Sequence, residues 1–177
     1  MFRFDPYAEL STLKTVGSFQ LTSTDLVHGQ PLARAQWGQA GGGSDTSPQL
    51  SWSGFPAETK SFAVTCYDPD APTGSGYWHW AVFNIPASVT ALVAGAGTAE
   101  STSLPRGAVT LPNEARQPAY IGAGPPPGTG VHRYFFVVHA VDIATLDIDP
   151  QSTPAVLGFN LHFHTLARAI LMGTGEG

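Results

Sequence analysis

The chain has 177 residues, of which only 12% are charged, with a net charge of -5 and a single cysteine, Cys66. The acidic balance and the lack of a basic cluster exclude a nucleic-acid backbone as partner. One cysteine excludes an intramolecular disulfide and a cysteine metal cluster. No apolar run approaches the roughly 18 residues a membrane span needs. Met1 to Leu10 carries Asp5, Pro6 and Glu9 where a secretion signal needs an apolar stretch. The expectation is a cytoplasmic protein with one domain over 1–177 and an N-terminal arm over 1–16.

The 20 glycines and 15 prolines are spread along the chain and interrupt every would-be helix before the last segment. That texture predicts a loop-rich, mainly β domain. Phe19 to Ser23 alternates apolar and polar and predicts a strand. Trp37 to Asp45 is glycine-rich and reads as a mobile loop. Ser47 to Ser53 alternates again. Lys60 to Tyr67 is a strong strand, with Phe62, Val64 and Cys66 on one face and Ala63, Thr65 and Tyr67 on the other. Cys66 then reads as a small buried apolar residue.

The stretch that organises the rest runs from Asp68-Pro69-Asp70-Ala71-Pro72 to Trp78-His79-Trp80. Prolines fix φ and hold the residue before them extended, so Asp68 and Asp70 belong to a stiff loop that ends a strand. A hairpin closed at Gly74–Gly76 would return His79 to Asp68, where a carboxylate raises the proton affinity of an imidazole. Tyr77 to Ile85 is the next strand, residues 87–108 are an irregular excursion, and Ala108 to Leu111 is a short strand. Val131 to Ile143 is apolar on both faces and predicts a central strand. Alternation places His132 and Tyr134 on one face and Arg133 on the other, where an acid such as Asp70 would pair with it. One helix is expected between Ala155 and Met172, stopped by Gly173 and weakened near Gly158.

If the strands of His79 and His132 are neighbours, Asp68, His79, His132 and Tyr134 gather at one end of a sheet, walled by Pro125, Pro126 and Pro127. Asp-Pro-Asp-Ala-Pro, Trp-His-Trp and Gly-Pro-Pro-x-Gly-x-Gly-x-His-Arg-Tyr resemble the two signature regions of the phosphatidylethanolamine-binding proteins (PEBPs), and specifically their bacterial Raf-kinase-inhibitor-like branch. Ser47 to Trp52 and Leu157 to Leu161 resemble that branch as well, and the likeness covers roughly Phe19 to Met172. It implies a two-sheet PEBP-like β-sandwich with a C-terminal helix and an anion pocket at one end. It also implies a ligand set of Asp68, Tyr77, Trp78, His79, Pro125, Pro126, His132 and Tyr134, with Tyr77 and Trp78 at the edge. Asp70 and Arg133 would be structural support. Bacterial relatives imply a homodimer, and eukaryotic ones a kinase or protease as partner by analogy alone.

The function expected is therefore binding of a small anion, such as phosphate, phosphoethanolamine or a carboxylate, in a regulatory role and without a cofactor. The alternative is a metabolic enzyme (isomerase, dehydratase or cyclase) using His79, His132, Asp68 and Tyr134 for acid-base chemistry. Asp68, Asp70, His79 and His132 are also acceptable divalent-metal ligands. A helical His-x-x-x-His arrangement is missing, and no metal is expected.

Overall fold

The computed structural model describes residues 4–177; of the N-terminal arm expected over 1–16, residues 1–3 lie outside the described residues. The elements in chain order are α1 (Pro6–Leu13), β1 (Gly17–Ser18), β2 (Gln20–Thr22), β3 (Leu50–Ser53), β4 (Ser61–Asp68), β5 (Tyr77–Pro86), β6 (Ala91–Leu92), β7 (Val109–Thr110), β8 (Val131–Val141), α2 (Pro154–His164) and β9 (Thr165–Glu176). One sheet has the order β1-β9-β8-β4-β5-β7 and the other β2-β3-β6. The mainly β, two-sheet architecture with a helix near the C-terminus is the one the sequence predicts.

Alternation along the strands sorts residues between two apolar layers. Phe62, Val64 and Cys66 of β4 join Phe136 and Val138 of β8, and meet Leu50 and Trp52 of the smaller sheet. The opposite face of the larger sheet packs under the two helices. Ala63, Ala81 and Phe83 lie under Leu157 and Leu161 of α2, while Phe135 and Val137 meet Tyr7 of α1. β8 is antiparallel to both neighbours, β4 and β9, and buried on both faces, as a central strand should be.

Three expectations need correction. The arm contains a helix, α1, because Asp5 caps it: its Oδ1 accepts from the Tyr7 and Ala8 amides at 2.9 and 3.1 Å, with Pro6 in the first turn. The helix expected to run to Met172 ends at His164, and Thr165–Glu176 forms β9. Leu166, Ile170 and Leu171 fit helical spacing, but Thr165, Ala167 and Ala169 are buried at every second position, and the long ladder with β8 decides between the two periods. Gly173 consequently stops no helix. It sits in β9 opposite Tyr134, where a Cβ would lie 2.3 Å from a Leu32 methyl. Finally, the glycine-rich segment 37–45 is pinned. The Gly38 amide donates to the Ala123 carbonyl at 2.8 Å, and the Gly122 amide to Asp45 Oδ1 at 2.7 Å.

Candidate functional site

The larger sheet ends in a cavity of about 590 Å³ lined by Asp68, Tyr77, His79, Pro125, Pro126, His132 and Tyr134. Seven of the eight residues the sequence assigns to ligand binding therefore meet there. Trp78 does not. It lies on the opposite face of β5, its ring 4.4 Å from that of Tyr67, because strand alternation separates it from Tyr77 and His79. Of the proline run, Pro125 and Pro126 line the cavity while Pro127 does not.

A register shift turns Trp80 to the same face as His79. Trp80 pairs with Cys66 and Trp78 with Tyr67, so β5 carries one extra residue, His79, between the two pairs. The bulge puts His79 and Trp80 on the same face, one over the cavity and one in the core. The loop before β5 closes tightly on β4. Gly76 adopts φ 69°, and a Cβ there would lie 2.2 Å from the Tyr67 hydroxyl.

Asp68 meets His132 rather than His79. Its Oδ2 is 2.7 Å from His132 Nδ1, and both side chains are almost wholly buried. The other Asp68 oxygen accepts from the Asp70 amide at 2.8 Å. His132 Nε2 is 2.8 Å from the Thr129 hydroxyl, which donates to the Pro126 carbonyl at 2.7 Å. A hydroxyl has one proton to give, so with that proton on Pro126 it accepts from Nε2. Both imidazole nitrogens of His132 thus face acceptors.

His79 differs from expectation in protonation. Its Nδ1 donates to the Ile121 carbonyl at 2.8 Å. Burial pushes its pKa down, and this outweighs the nearby carbonyl groups and the Asp68 charge, which act the other way. The neutral ring is favoured, not the partly charged one. Tyr134 stands edge-on to His79, with centroids 5.1 Å apart. Its hydroxyl is buried and faces the Gly124 backbone without closing a hydrogen bond. Burial, followed by the Asp68 charge, pushes the phenol up, so it stays a neutral donor. A buried polar atom without a partner costs about 1–3 kcal/mol, and a ligand oxygen would satisfy it.

Asp70 and Arg133 form the predicted ion pair outside the cavity. Arg133 Nε and a terminal nitrogen donate to the two Asp70 oxygens at 2.7 and 2.8 Å, and the Arg133 amide adds a third bond at 3.0 Å. The hydrogen bonds to Asp70 are the largest of the effects that push the Arg133 pKa up. With its carboxylate so engaged, Asp70 fixes the loop that carries Asp68. The sequence did not single out Thr129, Ile121 or the rim formed by Gly38 to Gly41 and Asp45. Their contributions are a hydroxyl, a carbonyl and close backbone packing, none of which leaves a residue-type signature.

A family model described as "Phosphatidylethanolamine-binding protein" matches residues 22–176. The UPF0098 proteins YbhB and YbcL of Escherichia coli are each 46% identical to this chain. The YbhB match spans 152 residues, 85% of this chain and 95% of YbhB; the YbcL match spans 154, 86% and 84% respectively. The crystal structure of YbcL, described as a new member of the mammalian PEBP family, superposes with a TM-score of 0.87 and 44% identity, covering 91% of this chain and 99% of that one. CT736 of Chlamydia trachomatis, a homologue described under the same family name, gives 0.75 at 32% identity over the same shares of each chain. With the motifs, the two-sheet fold and these likenesses in agreement, the chain belongs to the phosphatidylethanolamine-binding protein family.

Proposed function

We propose that this protein captures a small phosphate-bearing or carboxylate anion in the cavity between His79 and His132, in a regulatory rather than a catalytic role. The observation that carries this reading is the set of polar groups that line the space. His132 lines it, held by Asp68 and Thr129, and the buried Tyr134 hydroxyl lacks a partner among the described residues. His79 has Nδ1 committed to a carbonyl, which leaves Nε2 for a ligand. Neutral donors and an imidazole that can take up a proton suit an oxyanion. Pro125 and Pro126 give a wall that needs little reordering on binding.

The test is calorimetry with inorganic phosphate and phosphoethanolamine on wild type and His132→Ala. Binding in the millimolar range or tighter, lost in the variant, supports the reading; no heat with either ligand on wild type removes it.

Two further parts of the reading concern assembly and place. Val156, Phe159 and Phe163 form an exposed apolar stripe along α2, which suits a homodimer. The lone cysteine is buried and suits a reducing compartment such as the cytoplasm. Sedimentation of Phe163→Asp against wild type checks the first, and fractionation of the native cells the second.

A further inference from the structure

The other face of the larger sheet holds a second cavity, of about 290 Å³, beneath α1. Helix α1 is held over the sheet at both ends by polar contacts. Arg133 donates to the Phe4 carbonyl at 2.7 Å. Lys14 Nζ donates to the His162 and Phe163 carbonyls at the end of α2, at 3.0 and 3.2 Å. Between those ends only Tyr7 is buried, so the helix spans the sheet like an arch with space beneath it. Leu10 and Leu13 from α1, Leu161 from α2 and Trp78 from β5 wall that space with hydrocarbon.

Two polar side chains in this apolar setting have no hydrogen-bond or ion-pair partner among the described residues. Arg168 is half-buried in the lining, and its guanidinium forms no ion pair or hydrogen bond among the described residues. Its contact is with the Tyr7 ring, 6.0 Å from the centroid, and burial lowers its pKa. Among the described residues the one acid in the lining is Glu9, which lies exposed on α1 and makes no salt bridge to it. The second group is Thr65, only 3% exposed, whose hydroxyl faces the Tyr7 phenol without closing a hydrogen bond. His139, opposite Arg168 across the ladder, is kept neutral, its pKa pushed by burial and by Arg168 to about 3, so it supplies no charge to compete with Arg168.

A guanidinium is built to take a carboxylate in a paired geometry, and a partly desolvated one without a counter-ion is stabilised by gaining it. Apolar walls beside a single cation select a ligand with an acid head and a short hydrocarbon body. We infer that the cavity beneath α1 is a binding site for a small amphipathic carboxylate, with its head on Arg168 and its chain against Leu10, Leu13, Leu161 and Trp78. The site is separate from the anion pocket, from which the sheet divides it.

Octanoate is the probe, with octan-1-ol as its uncharged counterpart, and calorimetry the readout. Octanoate should bind wild type at least tenfold more tightly than octan-1-ol. Arg168→Gln should weaken octanoate about tenfold and leave octan-1-ol unchanged. Leu10→Trp, at the half-exposed lip, should block both. Near-UV circular dichroism checks that each variant is folded. His132→Ala, which disables the anion pocket, should bind octanoate as wild type does. Three outcomes overturn the inference: no octanoate binding at millimolar concentration, equal binding by Arg168→Gln and wild type, or binding that His132→Ala abolishes.

Discussion

Asp68 and His132, 64 residues apart in sequence, meet at 2.7 Å at one end of the larger sheet, where almost no water reaches them. The pairing makes each the other's support: the carboxylate orients the ring, and the ring satisfies the carboxylate. Asp68→Asn keeps the shape and removes the charge. It should weaken phosphate binding at least tenfold by calorimetry and cost about 1–3 kcal/mol in urea unfolding, the usual loss when a buried polar partner is removed. Unchanged binding would mean that the charge of Asp68 has no part in holding His132 ready.

Thr129 holds the outer nitrogen of His132, a residue that lines the cavity. Its hydroxyl takes up His132 Nε2, the nitrogen that would otherwise reach a ligand. An incoming anion must displace that contact or share it. Thr129→Val keeps the bulk of the side chain and removes the acceptor, so Nε2 becomes free. Phosphate affinity should rise several-fold, and a fall would show that the hydroxyl itself holds the ligand.

His79 sets the pH dependence of anion binding. Burial lowers its pKa in the free protein, and a bound anion beside Nε2 raises it again. The bound state therefore holds more protons than the free state between those two values. Affinity must rise as pH falls through that window and level off below the free value, up to tenfold per pH unit. Sulfate is the suitable probe because it does not titrate there. Its affinity should climb from pH 7 toward pH 5 in wild type and stay flat in His79→Gln.

Much of this arrangement was legible in the sequence, for reasons that particular residues make plain. His132 and Tyr134 share a face because a regular strand alternates, and Arg133 must then find an acid on the other side. Tyr77 and His79 share the cavity face by the same rule; what no local pattern announces is the extra residue of β5 between the Cys66–Trp80 and Tyr67–Trp78 pairs, which turns the neighbouring Trp80 to that face as well. The carboxylate's partner differs from the one the sequence suggests because it, too, is set at long range. Proximity along the hairpin favoured His79, whereas pairing of β4 with β8 brought His132 to Asp68. β9 was hidden because Ala, Leu and Ile serve helix and strand alike. Only the ladder with β8, a long-range feature, separates the two.

His139 makes a prediction about acid stability. It lies on β8 under the helices with Nδ1 3.3 Å from the Thr165 hydroxyl, and burial, aided by Arg168, brings its pKa to about 3. In the unfolded chain the same ring titrates near ~6.5. Between these values the unfolded state binds a proton that the folded state refuses. The folded-state pKa is depressed, so the native state has its full margin above about pH 6.5 and loses it as pH falls toward about 3. The slope approaches roughly 1.4 kcal/mol per pH unit from this residue. His139→Gln, which does not titrate, should remove about that much from the slope of urea-unfolding free energy against pH from 6 to 4. His79 is lowered for the same reason and leaves a shallower dependence behind. An unaltered slope in His139→Gln would mean that the ring gains a proton without unfolding the sheet around it.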